Sequence, residues 1–201
     1  MITNRFMRTT DLNDVVSTHL ASFQGFFLSF LGPAFLKELY AGTLADASGI
    51  AIVAQTGEKI QGFVAGTDNP QGFYKRLLRQ RGLHFARASM VPMLRNPTIM
   101  PRLLRAFSRS AGEDVHDNCA TLMSIAVAPE AQGQGIGQLL VRAFLEEAGK
   151  RGVECVNLTT DQENNDAVNT FYQKVGFYLS SQFITPEGRK MNEYMLELPL
   201  P

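Results

Sequence analysis

Residues 132 to 137 read Gln-Gly-Gln-Gly-Ile-Gly, and no other stretch narrows the fold of this chain as far. Just upstream, Leu122-Met123-Ser124-Ile125-Ala126-Val127 is an apolar strand candidate, followed by Ala128-Pro129-Glu130-Ala131. Just downstream, Ile136, Leu139, Leu140, Ala143, Phe144 and Ala148 recur at helical spacing. Strand, glycine loop and helix N-terminus in that order make a phosphate-binding arrangement. Glycines let the backbone come close, and the first free N–H groups of the helix face an anion. Gln132, Gly133, Gln134, Gly135, Ile136, Gly137 and Gln138 are therefore the candidate phosphate-binding residues.

Two common phosphate sites fail on spacing. A P-loop needs Lys and then Ser or Thr after its last glycine, but Gln138 and Leu139 follow Gly137. A dinucleotide fingerprint needs a glycine where Gln138 stands, directly after its strand, whereas four residues including Pro129 intervene. The 64 residues left after Gly137 are too few for the rest of a doubly wound sheet.

The pattern Gln/Arg-x-x-Gly-x-Gly/Ala after a strand ending Val-x-Pro resembles the acyl-CoA-binding motif of the GNAT acyltransferase superfamily, with Gln132, Gly135 and Gly137 at its defining positions. Asn165 to Phe177 resembles a second motif of that family, Asn-x-x-Ala-x-x-Phe-Tyr-x-Lys-x-Gly-Phe, with Val168 in place of the usual Ala. The resemblance covers residues 120 to 198 and is weaker before them. It implies an α/β fold, a mixed sheet of the GNAT type, with a V-shaped split between the fourth strand (residues 121–127) and the fifth (155–159). Pantetheine would lie in that split. The implied activity is transfer of an acetyl group from acetyl-CoA to an amine, with acetyl-CoA as cosubstrate.

Composition sets the remaining bounds. The chain has 201 residues, 45% of them hydrophobic, enough for a single domain with its own core. It has no run of 18 apolar residues and no basic-then-apolar start, so neither a membrane span nor secretion is expected. Cys119 and Cys155 read as free thiols in a reducing cytosol, which points to a cytoplasmic protein. His19, His84 and His116 stand at no ligand spacing, so no metal is expected.

Net charge is zero but unevenly spread. Residues 72–112 hold nine basic side chains (Lys75, Arg76, Arg79, Arg81, Arg87, Arg95, Arg102, Arg105 and Arg109) and no acid, leaving ten basic against 19 acidic elsewhere. This helical basic segment, about 70–113, falls between the third and fourth predicted strands. Three readings stand: a solvated face, a grip on an anionic acceptor such as a sugar nucleotide, or a weak membrane-surface contact. Nucleic acid is not expected as a partner.

Along the chain, Ile2 to Arg8 reads as a strand. Asp11 is placed as the cap of a helix to Phe23, and Gly32-Pro33 opens a second helix ended by Gly42. Residues 50–54 and 60–66 form a hairpin about Gly57. Helices are expected at Phe73–Ser89 and Ile99–Ser110. Then come the strand before the glycine loop, its helix to Lys150, a strand from Cys155 to Thr159, a helix from Asn165 stopped by Gly176, and a hairpin of 177–184 with 191–198.

The implied chemistry assigns roles. Backbone groups at Ile125, Ala126 and Val127 would polarise the thioester carbonyl. Asn165 would reach the pantetheine amide or cap its helix. Tyr172 is the candidate acid for the leaving thiolate, against a plain core-packing role. No acid stands between Ala120 and Val127, so no base is assigned; Glu113, Asp114, His116 and Asp117 lie just upstream. The acceptor is expected to be the primary amine of a small molecule such as an amino sugar or sugar nucleotide. A protein N-terminal or lysine acetyltransferase and a non-catalytic acyl-CoA sensor are the alternatives, and a homodimer is left open.

Overall fold

The computed structural model describes residues 2–95 and 118–198. Its strands are β1 (Ile2–Phe6), β2 (Gly49–Thr56), β3 (Lys59–Thr67), β4 (Cys119–Val127), β5 (Cys155–Asp161), β6 (Tyr178–Ile184) and β7 (Lys190–Glu197). They form one seven-stranded sheet in the order β1-β2-β3-β4-β5-β7-β6. Every neighbouring pair is antiparallel except β4 and β5. The helices are α1 (Leu12–Ser22), α2 (Phe27–Phe30), α3 (Gly32–Ala45), α4 (Phe73–Arg95), α5 (Ile136–Lys150) and α6 (Asp166–Val175).

Side chains alternate across a strand, and here that alternation feeds two cores. Ala51, Val53, Phe63 and Ala65 pack with α1, α3 and α4. Ile50, Ile52, Ala54 and Val64 face the other way, against Ile136, Leu140, Phe144 and Ala148 of α5. Those four α5 positions repeat at the helical period, which is why that helix is amphipathic and docks along one stripe.

β4 and β5 pair only at Cys119 with Cys155, Ala120 with Val156, and Thr121 with Asn157. The Thr121 hydroxyl closes this short ladder with a 2.6 Å hydrogen bond to Asn157. Past Thr121 the strands part, while β4 stays paired to β3 as far as Val127. The split expected between the fourth and fifth strands is therefore present, and it is the feature that positions the site.

Several expectations change. Cys119 and Cys155 form a disulfide, not two free thiols, because parallel pairing sets them opposite each other with Cα atoms 4.6 Å apart. With that pairing, the thiol-based case for a cytoplasmic setting falls away. Among the described residues no helix is long and apolar enough to cross a membrane. Asp11 does not cap α1 with its side chain. Its carboxylate turns back to the Arg8 N–H (2.7 Å) and takes both outer nitrogens of Arg5 (2.6 and 2.9 Å). Gly42 does not end α3 but sits inside it, at a point where a Cβ would lie 2.9 Å from Leu77 Cγ. The glycine is a notch that lets α4 pack closely on α3.

α4 itself runs beyond Ser89, through Pro92, to Arg95, with non-helical backbone at Arg81. The helix expected at 99–110 lies outside the described residues. Arg76 binds Asp46 (3.0 Å), the Ser48 hydroxyl (2.8 Å) and two backbone carbonyls. Arg81 binds Glu38 of α3 at 2.6 and 2.9 Å. Both guanidiniums are thus tied to acids outside their own acid-free segment. Burial opposes ionisation of Asp46, but hydrogen bonds from Arg76 and Ser48 outweigh it and hold its carboxyl below the ordinary range.

Candidate active site

The glycine loop turns on two left-handed residues, Gly133 (φ +78°) and Gly135 (φ +77°). An L side chain is disfavoured at such angles. Nothing lies within 4 Å of where a Cβ would stand at either residue, so the loop presents bare backbone to open space. Gly135 is also the residue from which α5 starts, so the unpaired N–H groups of its first turn point into the same space. Gly137 serves a different end. A Cβ there would meet the Phe171 ring at 3.3 Å, so the missing side chain lets α5 approach α6.

From this loop a cleft of about 720 Å³ follows the parted strands. Ile125, Ala126, Val127, Gln132, Gly133, Gly135, Ile136, Gly137, Gln138, Asn165 and Tyr172 all line it. Of the residues expected at the site, Gln134 alone does not line the cleft. Gln132 folds back, its side-chain amide reaching the Val127 carbonyl at 3.5 Å. The cradle thus suits the phosphates of a coenzyme A ester: open backbone donors at the loop, and a long slot in line with a splayed strand edge.

Asn165 stands at the N-cap of α6 without capping it; its amide donates instead to the Asp161 carbonyl at 3.1 Å. Asn169 donates to the same carbonyl at 3.1 Å and accepts from Thr160 at 2.6 Å. These bonds join the end of β5 to the start of α6 and fix the far wall of the split. Tyr172, on the buried stripe of α6, packs among Phe171, Phe177 and Tyr194. Burial pushes its phenol above the ordinary value, so it stays protonated at neutral pH.

A second cavity, about 330 Å³, opens on the α1–α3 side of the sheet. It shares Phe23, Phe26, Met123, Ser124, Thr159, Thr160 and Asp161 with the cleft, so the two spaces meet across β4 and β5. Its remaining walls are mainly Leu28, Phe35, Leu39, Tyr74 and Met191, with His19 and Arg189. Arg189 grips both Asp161 oxygens at 2.7 Å and places its charge 5.7 Å from the Phe26 ring centre. The two charges cancel locally, and what remains is an aromatic and aliphatic pocket.

Sequence reasoning missed His19, Asp161 and Arg189. Their only signal is three-dimensional, since α1, β5 and the β6–β7 turn meet there. The candidates Glu113, Asp114, His116 and Asp117 lie outside the described residues. Among the described residues no cluster of His, Cys, Asp and Glu is built to hold a metal ion.

Residues 14–177 match the Acetyltransferase (GNAT) family. The chain belongs to that family. It is 45% identical over 53 residues to a mycothiol acetyltransferase of Nocardia farcinica, which is 26% of this chain and 17% of that protein. It is 33% identical over 85 residues to the ribosomal protein bS18-alanine N-acetyltransferase of Escherichia coli, 40% of this chain and 56% of that protein. The chain therefore matches only part of the length of these relatives. The crystal structure of the E. coli ribosomal-protein-S18-alanine N-acetyltransferase superposes with a TM-score of 0.62 at 18% identity, covering 100% of this chain and 96% of that one. At that identity the likeness speaks to the GNAT fold, which the mixed sheet and its split display directly.

Proposed function

We propose that this chain transfers an acetyl group from acetyl-CoA directly to the primary amine of a small molecule with an apolar body. The observation that carries this reading is the meeting of two spaces at Met123, Ser124 and residues 159–161. A thioester lying along the cleft and an amine entering from the apolar pocket would come together there without a covalent enzyme intermediate.

Each step then has a group suited to it. The Gln132–Gln138 loop and the first turn of α5 hold the phosphates through backbone N–H donors. The β4 edge at Ile125–Val127 supports the thioester carbonyl as charge builds on its oxygen. Tyr172 gives its proton to the departing thiolate. The pocket's apolar walls disfavour an ammonium ion, so the acceptor binds as the free amine, which is the nucleophilic form.

An amino sugar or sugar nucleotide, expected from the basic segment, draws little support from its described part. Arg76 and Arg81 are held by Asp46 and Glu38, away from the pocket lining. A second reading has a specific basis: the partial similarity to a ribosomal-protein alanine acetyltransferase favours a protein N-terminal α-amine. Free-thiol release from acetyl-CoA, measured across arylalkylamines, amino sugars and N-terminal peptides, separates them. Turnover confined to peptides or amino sugars overturns the small apolar acceptor. Acetyl-CoA binding with no turnover on any amine makes the chain a sensor.

A further inference from the structure

His19 is 2% exposed, carried on α1 among the rings of Phe23, Tyr40 and Phe63. Its Nδ1 is 2.6 Å from the Tyr40 hydroxyl. Its Nε2 is buried and has no hydrogen-bond partner, and it is the sole side-chain polar atom in that condition among the described residues. A buried polar atom without a partner is costly, and this one belongs to a residue that lines the acceptor pocket. Tyr40 also interacts with the Ser124 hydroxyl, which opposes part of the rise that burial gives its phenol pKa. Ser124 is on β4, at the junction of pocket and cleft. Ser124 at that junction and His19 thus line one pocket, and the second ring nitrogen of the histidine is unsatisfied.

We propose that His19 is the base of this site, its Nε2 taking the proton that the acceptor amine sheds as the C–N bond forms. This rests on the small-amine reading above. The amine lone pair attacks the thioester carbonyl carbon, the C=O electron pair moves to oxygen, and one N–H proton passes to Nε2. Collapse re-forms C=O and breaks C–S, and the thiolate takes the Tyr172 proton. The proton on His19 then leaves to solvent as Tyr172 regains one, so the sum is amine plus acetyl-CoA giving amide plus free CoA.

Tyr40 is a positioning residue here. It fixes the imidazole ring and, with Nδ1 as the donor, leaves the lone pair on Nε2, the ring nitrogen without a partner. Burial lowers the pKa of the ring to about 4, so at neutral pH its Nε2 carries no proton when Nδ1 is the donor. Tyr40 from α3 touches its Nδ1, and the other ionisable groups that line the same pocket are Tyr74 from α4, Asp161 at the end of β5 and Arg189. Asp161 is matched to Arg189 through both oxygens, so it does not compete for the amine proton. β4, which carries no carboxylate, has no base of its own.

The test uses His19→Asn, which keeps a polar atom for Tyr40 but none at the Nε2 position, with phenethylamine as the acceptor. His19→Gln serves as the second variant should the first fold poorly. Melting temperature and acetyl-CoA Kd are measured on both. At neutral pH kcat should fall about 100-fold, the usual range for loss of a general base, with acetyl-CoA Kd within about twofold of wild type. Above the amine's own pKa, wild-type kcat should level off, while kcat of the variant keeps climbing as hydroxide takes the proton. A rate unchanged in both variants, or one lowered in parallel at every pH, overturns His19 as the base. Wild-type protein that binds acetyl-CoA but releases no thiol with phenethylamine or its arylalkylamine relatives instead removes the acceptor class, and the role of His19 with it.

Discussion

The two sides of the split are built by different means. The side proposed for the cofactor is made of backbone: a strand edge, two left-handed glycines and a helix N-terminus, all within residues 122–138. The side proposed for the acceptor is made of side chains from α1, α2, α3, α4, β4, β5 and β7. A backbone site leaves a compact trace in sequence, because few residues besides glycine tolerate its angles. A pocket assembled from side chains that are far apart in the chain leaves almost none. The first tells which reaction class to expect, and the second tells which molecule is acted on.

Substitutions on each side test this contrast. Gly135→Asp puts a Cβ and a negative charge into the open side of the loop, at a φ of +77°. Acetyl-CoA affinity should fall more than about 1000-fold while the fold survives. Normal affinity by calorimetry would show that the phosphates lie elsewhere.

Next is a pH effect on stability. The folded His19 has a pKa of about 4 against 6.5 for the exposed group. Between those values the unfolded chain binds a proton that the native state refuses. Stability is therefore full above about pH 6.5 and falls as pH drops towards 4, by about 3 kcal/mol, or roughly 150-fold in the folding equilibrium. The paired carboxylates Asp11 and Asp46, both held below their ordinary values, contribute only at lower pH still. Urea unfolding at several pH values checks this, and the slope between pH 6.5 and 4 should be absent in His19→Gln.

Tyr172→Phe should lower kcat about 30-fold with acetyl-CoA Kd unchanged, since the ring packing stays and only the hydroxyl goes. An unaltered rate where chemistry is limiting returns Tyr172 to the core. Leu28→Ala, in the acceptor pocket but not the cleft, should reduce kcat/KM for an apolar amine about fivefold, the worth of a partly buried aliphatic contact. Any matching change in acetyl-CoA Kd would mean that the two spaces are not separable.

Arg76→Gln should leave all kinetic constants within about twofold of wild type. It should still lower stability by about 1–2 kcal/mol, because the Asp46 side chain, 4% exposed, loses its main partner. A raised acceptor KM would restore the basic segment to the site.

How much was legible follows the same division. The glycine loop, the α5 stripe, the Gly57 hairpin and the Gly176 stop were readable because each is set by neighbours a few residues away. Gly42 is ambiguous in sequence, since a helix-ending glycine and a packing notch look alike until Leu77 is seen against it. Asp11 looked like a helix cap, but the guanidinium of Arg5 competes better for its carboxylate. Arg76 and Arg81 stood in an acid-free stretch, yet their partners lie 30 and 43 positions away. His19 gave no sign at all, because an orphaned nitrogen is a property of what surrounds it.

The disulfide at the foot of the split has a topological consequence. Cys119 and Cys155, 36 positions apart, close the chain into a covalent ring that contains the rest of β4, the glycine loop and the whole of α5. The unit proposed to hold the cofactor is therefore a loop tied shut at its own base. A protease cut at the exposed Gln132–Gly135 turn would leave both pieces joined through sulfur, to part only on reduction. The same knot holds the ends of this unit within reach of each other in the unfolded chain. The exposed glycine turn thus lies within a segment whose ends cannot drift apart.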